Sequence, residues 1–242
     1  MVDSAVTLED IRTVASTRQL WTTVLDYFLS HGIEKVSYHA AATKQHPAEI
    51  ATHGFPDDWV CHYISDHLEK VDPIPALATV SSAPFLWSEA RERGPLSQAN
   101  LAYLRELEAS GLGDGLAFAV FGPRLRNAYV GLGFGQGRAC PPAERVAEFQ
   151  MVAQMAHLKY CELCDRDPYA LPHLSTRERE ALEWVARGKS NSVIAELMHI
   201  SPHTVDTLVR RVFEKLGVAD RTSAAIKALG SGLLQYHDLD VA

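Results

Sequence analysis

Apolar residues recur at helical spacing near the start of the chain, where Ile11, Val14, Leu20, Val24, Leu25 and Phe28 share a face and His31-Gly32 closes the pattern. That spacing predicts a docked helix over roughly 7–30. A different pattern follows. Lys35 to Ala41, Gly115 to Phe121 and Asn127 to Phe134 read as strands, with Gly122-Pro123 marking the turn between the last two. Helical stretches are predicted at 58–69 and 98–109, and a longer amphipathic helix at 142–164. Strands interleaved with helices of this length predict an α/β domain in which an antiparallel sheet is sandwiched by helices.

The pattern changes at Asp165-Arg-Asp-Pro-Tyr-Ala-Leu-Pro-His173, whose two prolines and charges mark a linker. The expected division is therefore a first domain at 1–164, a linker at 165–173 and a second domain at 174–242. Beyond the linker, short helices follow one another without a strand signal. Ser175-Thr-Arg-Glu178 is a capping box, in which the serine oxygen takes a free amide of the first turn and Glu178 reaches back to the cap. It begins a helix through Trp184 and Val185. Arg187-Gly188-Lys189-Ser190 ends that helix and caps the next, at 193–198, and His199-Ile-Ser201-Pro202 turns into a third. Two short helices joined by a tight turn have the geometry of a helix-turn-helix. In the third helix Val205, Leu208, Val209, Val212 and Leu216 fall in one arc, with His203, Asp206, Thr207, Arg210 and Glu214 opposite. One face packs, and the other is free to enter a groove.

Composition narrows the possibilities. The 242-residue chain is 47% hydrophobic, which suits packed cores, and no apolar run approaches the roughly twenty residues needed to span a bilayer. No membrane partner is expected. Met1 to Asp10 carries acids where a leader would carry bases, and Cys61, Cys140, Cys161 and Cys164 read as reduced thiols, so the expected location is the cytoplasm. A net charge of −7 excludes a surface coated with phosphate-binding cations. From Leu174 to Leu229, nine Lys/Arg meet seven Asp/Glu. So small a surplus implies weak, salt-sensitive binding to DNA unless two copies combine their contacts.

The chemistry-bearing residues of the first domain are concentrated. Phe55-Pro-Asp-Asp-Trp59-Val-Cys-His-Tyr63, Val71-Asp72-Pro73 and Pro84-Phe-Leu-Trp87 set an acid among aromatics, and Trp59 and Tyr63, four apart, share a helix face. Rings can wall an apolar cavity while indole N–H and phenol O–H donate and Asp72 accepts, a set that suits a small ligand with carbonyls and one amide. Taken singly, Tyr63 and Trp87 also read as core aromatics, and Asp72-Pro73 as a turn.

Leu174-Ser-Thr-Arg-Glu178, Ala186-Arg-Gly188, Ile194-Ala195, Leu197, Ile200-Ser201, Thr204-Val205, Lys215-Leu-Gly-Val218 and Arg221 together resemble the LuxR-type DNA-binding module. The resemblance implies an all-α four-helix helix-turn-helix domain with Pro202 to Leu216 as the recognition helix. Lys189, Arg211 and Lys215 are the candidates for phosphate contacts, and His203, Thr204, Thr207 and Arg210 for base edges. Asp206 stands where many members carry a base, and Leu208 where many carry histidine.

From Phe28 to Phe134, including Gly111-Leu-x-x-Gly115 and Gly122-Pro123, the chain resembles the autoinducer-binding domain of LuxR-type quorum-sensing receptors. The resemblance implies an N-acyl-homoserine lactone as regulatory ligand, with no cofactor. By position, Trp59 donates to the lactone carbonyl, Tyr63 to the acyl carbonyl, Asp72 accepts from the amide and Trp87 packs over the ring. Phe55, Tyr103 and Gly131 complete the candidate pocket. Phe55 replaces a frequent tyrosine and Gly131 a frequent serine or threonine. With Gly133, Gly131 predicts a roomy pocket that suits a long or bulky acyl chain. A buried carboxylate is costly unless paired, so Asp72 needs either the ligand or a neighbouring donor, and an unstable empty pocket that ligand stabilises by mass action is predicted.

The expected protein is a transcription regulator, not an enzyme, binding double-stranded operator DNA as a homodimer with RNA polymerase as a further partner. The alternatives are a LuxR-type regulator answering to a non-lactone metabolite or to none, and a small-molecule hydrolase with an appended helical domain. His157, Cys161 and Cys164 share a helix face but make only three ligands where structural zinc takes four, so no metal is expected. Gly131-x-Gly-x-Gly-x-Gly137 lacks dinucleotide spacing, and no nucleophile, base and orienting acid assemble from local spacing.

Overall fold

The computed structural model describes residues 8–40, 49–164 and 172–235. Residues 123–125 apart, the described residues up to Cys164 form a first compact unit and those from Pro172 a second. Of the expected linker, only Pro172 and His173 are among the described residues.

The first unit comprises, in chain order, α1 (Leu8–Thr13), α2 (Thr17–Ser30), β1 (Lys35–Ala40), β2 (Glu49–His53), α3 (Asp57–Ser65), α4 (Ile74–Val80), β3 (Phe85–Leu86), α5 (Gln98–Ala109), β4 (Asp114–Val120), β5 (Ala128–Gly135) and α6 (Ala143–Cys164). The single helix expected over 7–30 is two. Ser16 is extended, and its side chain accepts the Gln19 amide, so a new helix starts where the apolar spacing alone shows no break. The strands form one antiparallel sheet in the order β2-β1-β5-β4-β3.

Alternation along the strands gives the sheet two unlike faces. Val36, Leu116, Phe118, Val120, Val130 and Leu132 join Leu20, Val24, Phe28, Phe149 and Val152 of α2 and α6 in one apolar core. Within it Phe28 and Phe149 meet edge to face with centroids 5.6 Å apart. From the other face Ala117 and Tyr129 meet Tyr63, Ile74, Phe85, Trp87, Tyr103 and Leu104, a core rich in polar-tipped rings.

The second unit is all helical: α7 (Thr176–Ala186), α8 (Asn191–Met198), α9 (Pro202–Leu216) and α10 (Arg221–Ser231). Its caps are the ones the sequence indicates. Ser175 Oγ accepts the Glu178 amide at 3.3 Å, and Glu178 Oε2 accepts the Ser175 amide at 2.8 Å. Ser190 and Ser201 cap α8 and α9, while His199 and Gly217 end them in the left-handed conformation. The buried residues of α9 are Val205, Leu208, Val209, Val212 and Leu216, the arc read from the sequence. They pack against Ala181, Leu182, Ile194 and Ala224. Among the described residues no helix is long and apolar enough to cross a membrane.

Candidate ligand-binding and nucleic-acid-binding sites

Between the polar-tipped face of the sheet and α3 to α5 lies a cavity of about 50 Å³. Six of the expected residues line it: Phe55, Trp59, Tyr63, Asp72, Trp87 and Tyr103. Trp59 and Tyr63 project from successive turns of α3, Asp72 leads into α4, Trp87 follows β3 and Tyr103 comes from α5. Gly131 does not line the space. A Cβ there would fall 2.5 Å from both Ser37 Oγ and the Tyr129 hydroxyl, and one at Gly133 would fall 3.1 Å from the Trp87 ring. The roomy acyl pocket expected from these two glycines is therefore not found. Ser37, Tyr129 and Trp87 occupy the volume that the missing side chains release.

Asp72 is the polar centre of the site. Its Oδ2 accepts the Tyr63 hydroxyl at 3.0 Å and the Tyr103 hydroxyl at 3.2 Å, and its Oδ1 accepts the Ile74 amide at 2.9 Å. Of the two partners expected for this acid, ligand or neighbouring donor, the chain supplies the second: its own phenols and backbone hold the carboxylate. Burial nevertheless pushes its pKa up to about 6, against the opposing pull of those three donors. Burial first, and the Asp72 charge second, push the hydroxyls of Tyr63 and Tyr103 upward and keep them as O–H donors. The Trp87 indole N–H is buried beside the Tyr129 hydroxyl, whose pKa it pulls down against the larger upward push of burial.

Several lining residues escaped the sequence reading, among them Ser37, His39, Thr52, Ile74 and Tyr129. Burial pushes His39 down to about 4, so its ring is neutral, and it lies with centroids 5.0 Å from Tyr129 and 6.0 Å from Tyr63. Alternation on β1 would have set Ser37 and His39 opposite Val36. Only the pairing of β1 with β5 sets His39 beside Tyr129.

In the second unit His203, Thr204, Arg210 and Arg211 are exposed on α9, Thr207 is half-buried and Lys189 is exposed ahead of α8. Lys215 is differently engaged from the phosphate contact expected of it. Its ammonium donates to Glu178 Oε2 at 2.6 Å and to the His173 carbonyl at 3.0 Å, tying α9 to the cap of α7. The same bond, foremost, holds the Glu178 carboxyl below its ordinary range. Asp206, which departs from the basic residue common in the family, accepts the Asn191 side-chain amide at 2.5 Å, and Asn191 in turn accepts Arg221 at 2.6 Å. This acid serves the joint between α8, α9 and α10. His157 takes the Tyr38 hydroxyl at 2.7 Å and donates to the Arg126 carbonyl at 2.6 Å. Among the described residues no three His, Cys, Asp or Glu side chains gather as metal ligands.

An aromatic cavity centred on a carboxylate, joined in one chain to a helix-turn-helix, defines a ligand-responsive DNA-binding regulator. Residues 16–160 match the family described as autoinducer binding domain, and residues 172–228 that described as bacterial regulatory proteins, luxR family. The chain belongs to the LuxR-type autoinducer-binding transcriptional regulators of quorum sensing. The HTH-type transcriptional regulator y4qH of Sinorhizobium fredii is 29% identical over 185 residues, covering 75% of this chain but only 56% of that protein. The quorum sensing-dependent regulator RpaR of Rhodopseudomonas palustris is 31% identical over 192 residues, 78% of this chain and 76% of RpaR. In fold the chain is similar to crystalline Escherichia coli SdiA, with a TM-score of 0.70 at 19% identity over 94% of this chain and 96% of SdiA. SdiA in complex with octanoyl-rac-glycerol is equally similar, at 0.70 and 19% over 95% and 94% of the two chains.

Proposed function

We propose that the Asp72 cavity binds an N-acyl-homoserine lactone and that the liganded chain, as a homodimer, grips operator DNA through α9. The observation that carries this reading is the convergence of Trp59, Tyr63 and Trp87 on one enclosed carboxylate. An amide presents a donor and an acceptor side by side. Entering between Tyr63 and Asp72, it gives its N–H to the carboxylate and takes the released phenol on its carbonyl, so one hydrogen bond becomes two. Trp59 then donates to the lactone carbonyl while Trp87 covers the ring.

The acyl group is compact. A cavity of about 50 Å³ is far below the roughly 300 Å³ at which ordinary ligand pockets begin, and the side chains around it must move apart even for a short chain. On the DNA side, Lys189 and Arg211 meet phosphates, and His203, Thr204, Thr207 and Arg210 face the base edges. Two copies are needed, because the charge surplus of one module is small.

Thermal unfolding of the full chain across a lactone panel tests the reading. Compact acyl chains are expected to raise the Tm, and a twelve-carbon chain to raise it less. A panel without any shift overturns it. The second reading, a regulator answering to a non-lactone metabolite, is favoured by Phe55, which lines the cavity without a hydroxyl, and by the acylglycerol that SdiA holds. Mass spectrometry of what co-purifies separates the two.

A further inference from the structure

Across the sheet from Asp72 lies a larger cavity, about 290 Å³, between α2, α6 and the strands β1, β2 and β5. Its walls are apolar, with Leu20, Trp21 and Val24 of α2 facing Ala153 and Ala156 of α6 over Val130. The polar groups that reach it are mostly committed elsewhere. Tyr38 donates to His157, His157 donates to the Arg126 carbonyl, and Tyr160 donates to Glu49. Burial lowers the pKa of His157, so the Tyr38–His157 pair adds no charge. Arg18 is different. It lines the same space from the first turn of α2, is exposed, and pairs with no carboxylate among the described residues.

We propose that this cavity is a second ligand site, for a medium-chain carboxylate whose hydrocarbon fills the apolar space and whose head is held by Arg18. A dry cavity of about 150 Å³ lined by aliphatic and aromatic side chains accommodates benzene. The space here is about twice that, which fits an unbranched tail of about eight to ten carbons. The ammonium of a lysine would offer a point charge, whereas the planar fork of Arg18 matches a carboxylate in two bonds. Strands β1 and β5 separate this ligand from the Asp72 cavity, since Val130 faces one site and Tyr129 the other. The site is therefore independent of the lactone reading.

The probe is sodium decanoate, below its micellar concentration, titrated into the full chain by calorimetry. Saturable one-to-one binding is expected, about fifteenfold tighter than octanoate, since each of the two additional buried methylenes contributes about fourfold. Arg18→Ala is expected to reduce decanoate affinity to that of decanol, whereas Asp72→Asn leaves it unchanged. Ala156→Trp fills the space and abolishes binding. Because that variant can also disturb folding, a bromine-bearing decanoate provides a second readout: it quenches tryptophan fluorescence in the parent chain, and Trp21→Phe removes most of the quenching. Absence of saturable binding overturns the proposal, as does full affinity in Arg18→Ala, loss of affinity in Asp72→Asn or quenching that survives Trp21→Phe.

Discussion

The two units treat buried polar groups in opposite ways. Among the described residues of the helical unit the one buried acid, Glu178, sits at a helix start with a lysine and a backbone amide on it, and the hydrophobic clusters around it are built from aliphatic residues with Met198, Trp184 and Phe213. In the sheet unit an enclosed carboxylate, three phenols and a buried indole N–H share one core. The first arrangement specifies a single packed state. The second keeps hydrogen-bonding capacity in its interior at a cost in stability, which is what a receptor needs and a DNA-docking scaffold does not.

The largest effect is expected where that contrast is starkest. Leu182 is fully buried at the junction of α7, α9 and α10, so Leu182→Ala should cost the helical unit about 2–5 kcal/mol. Calorimetry of the full chain should show the loss in the helical transition, with the lactone-dependent rise of the sheet unit's Tm retained. A fall in the ligand response of the same size would mean that the two interiors are not separable.

Next comes the cost of Asp72. Its folded pKa stands above the ordinary 3.8, near 6, so the native state holds the proton more tightly than the unfolded chain. The contribution is complete below pH 3.8 and is lost as pH rises through about 6, a change on the order of 3 kcal/mol. In urea unfolding from pH 4 to pH 7, the parent chain should lose stability relative to Asp72→Asn over this window. A constant difference between the two would remove the desolvated acid from the account. A smaller, steric effect is expected at Gly115, where a Cβ would meet the Trp87 ring at 2.7 Å and the Leu132 carbonyl at 2.8 Å. Gly115→Ala should cost about 1–3 kcal/mol and weaken ligand binding by displacing the indole, as unfolding and calorimetric titration would show.

The same contrast governs what was legible in the sequence. The caps, turns and buried arc of α9 are local patterns, and Ser175, Ser190, Ser201 and Gly217 act as their positions indicate. Trp59 and Tyr63 were legible for the same reason, one turn apart on α3. The remainder of the pocket is non-local: His39 meets Tyr129 only through strand pairing across ninety residues of chain. β2, Glu-Ile-Ala-Thr-His, is half-exposed and lacks a strong alternation, so it gave no strand signal. Gly131 and Gly133 declare an absent side chain, but a sequence does not say which neighbour takes the space.

The smallest expected effect separates the two acids most cleanly. Glu178 is held below its ordinary pKa by Lys215 and the Ser175 amide, the reverse of Asp72. Its contribution is present above the unfolded carboxyl pKa and lost as pH falls through the lower folded value. Glu178→Gln keeps an acceptor for the cap but removes the charge, so it should cost the helical unit about 1 kcal/mol or less at neutral pH and nothing at a pH where both forms are uncharged. Measured beside Asp72→Asn across one pH series, the two stability differences should slope in opposite directions. Parallel slopes would show that burial does not dominate at Asp72, and would leave its phenol and amide donors as the stronger influence.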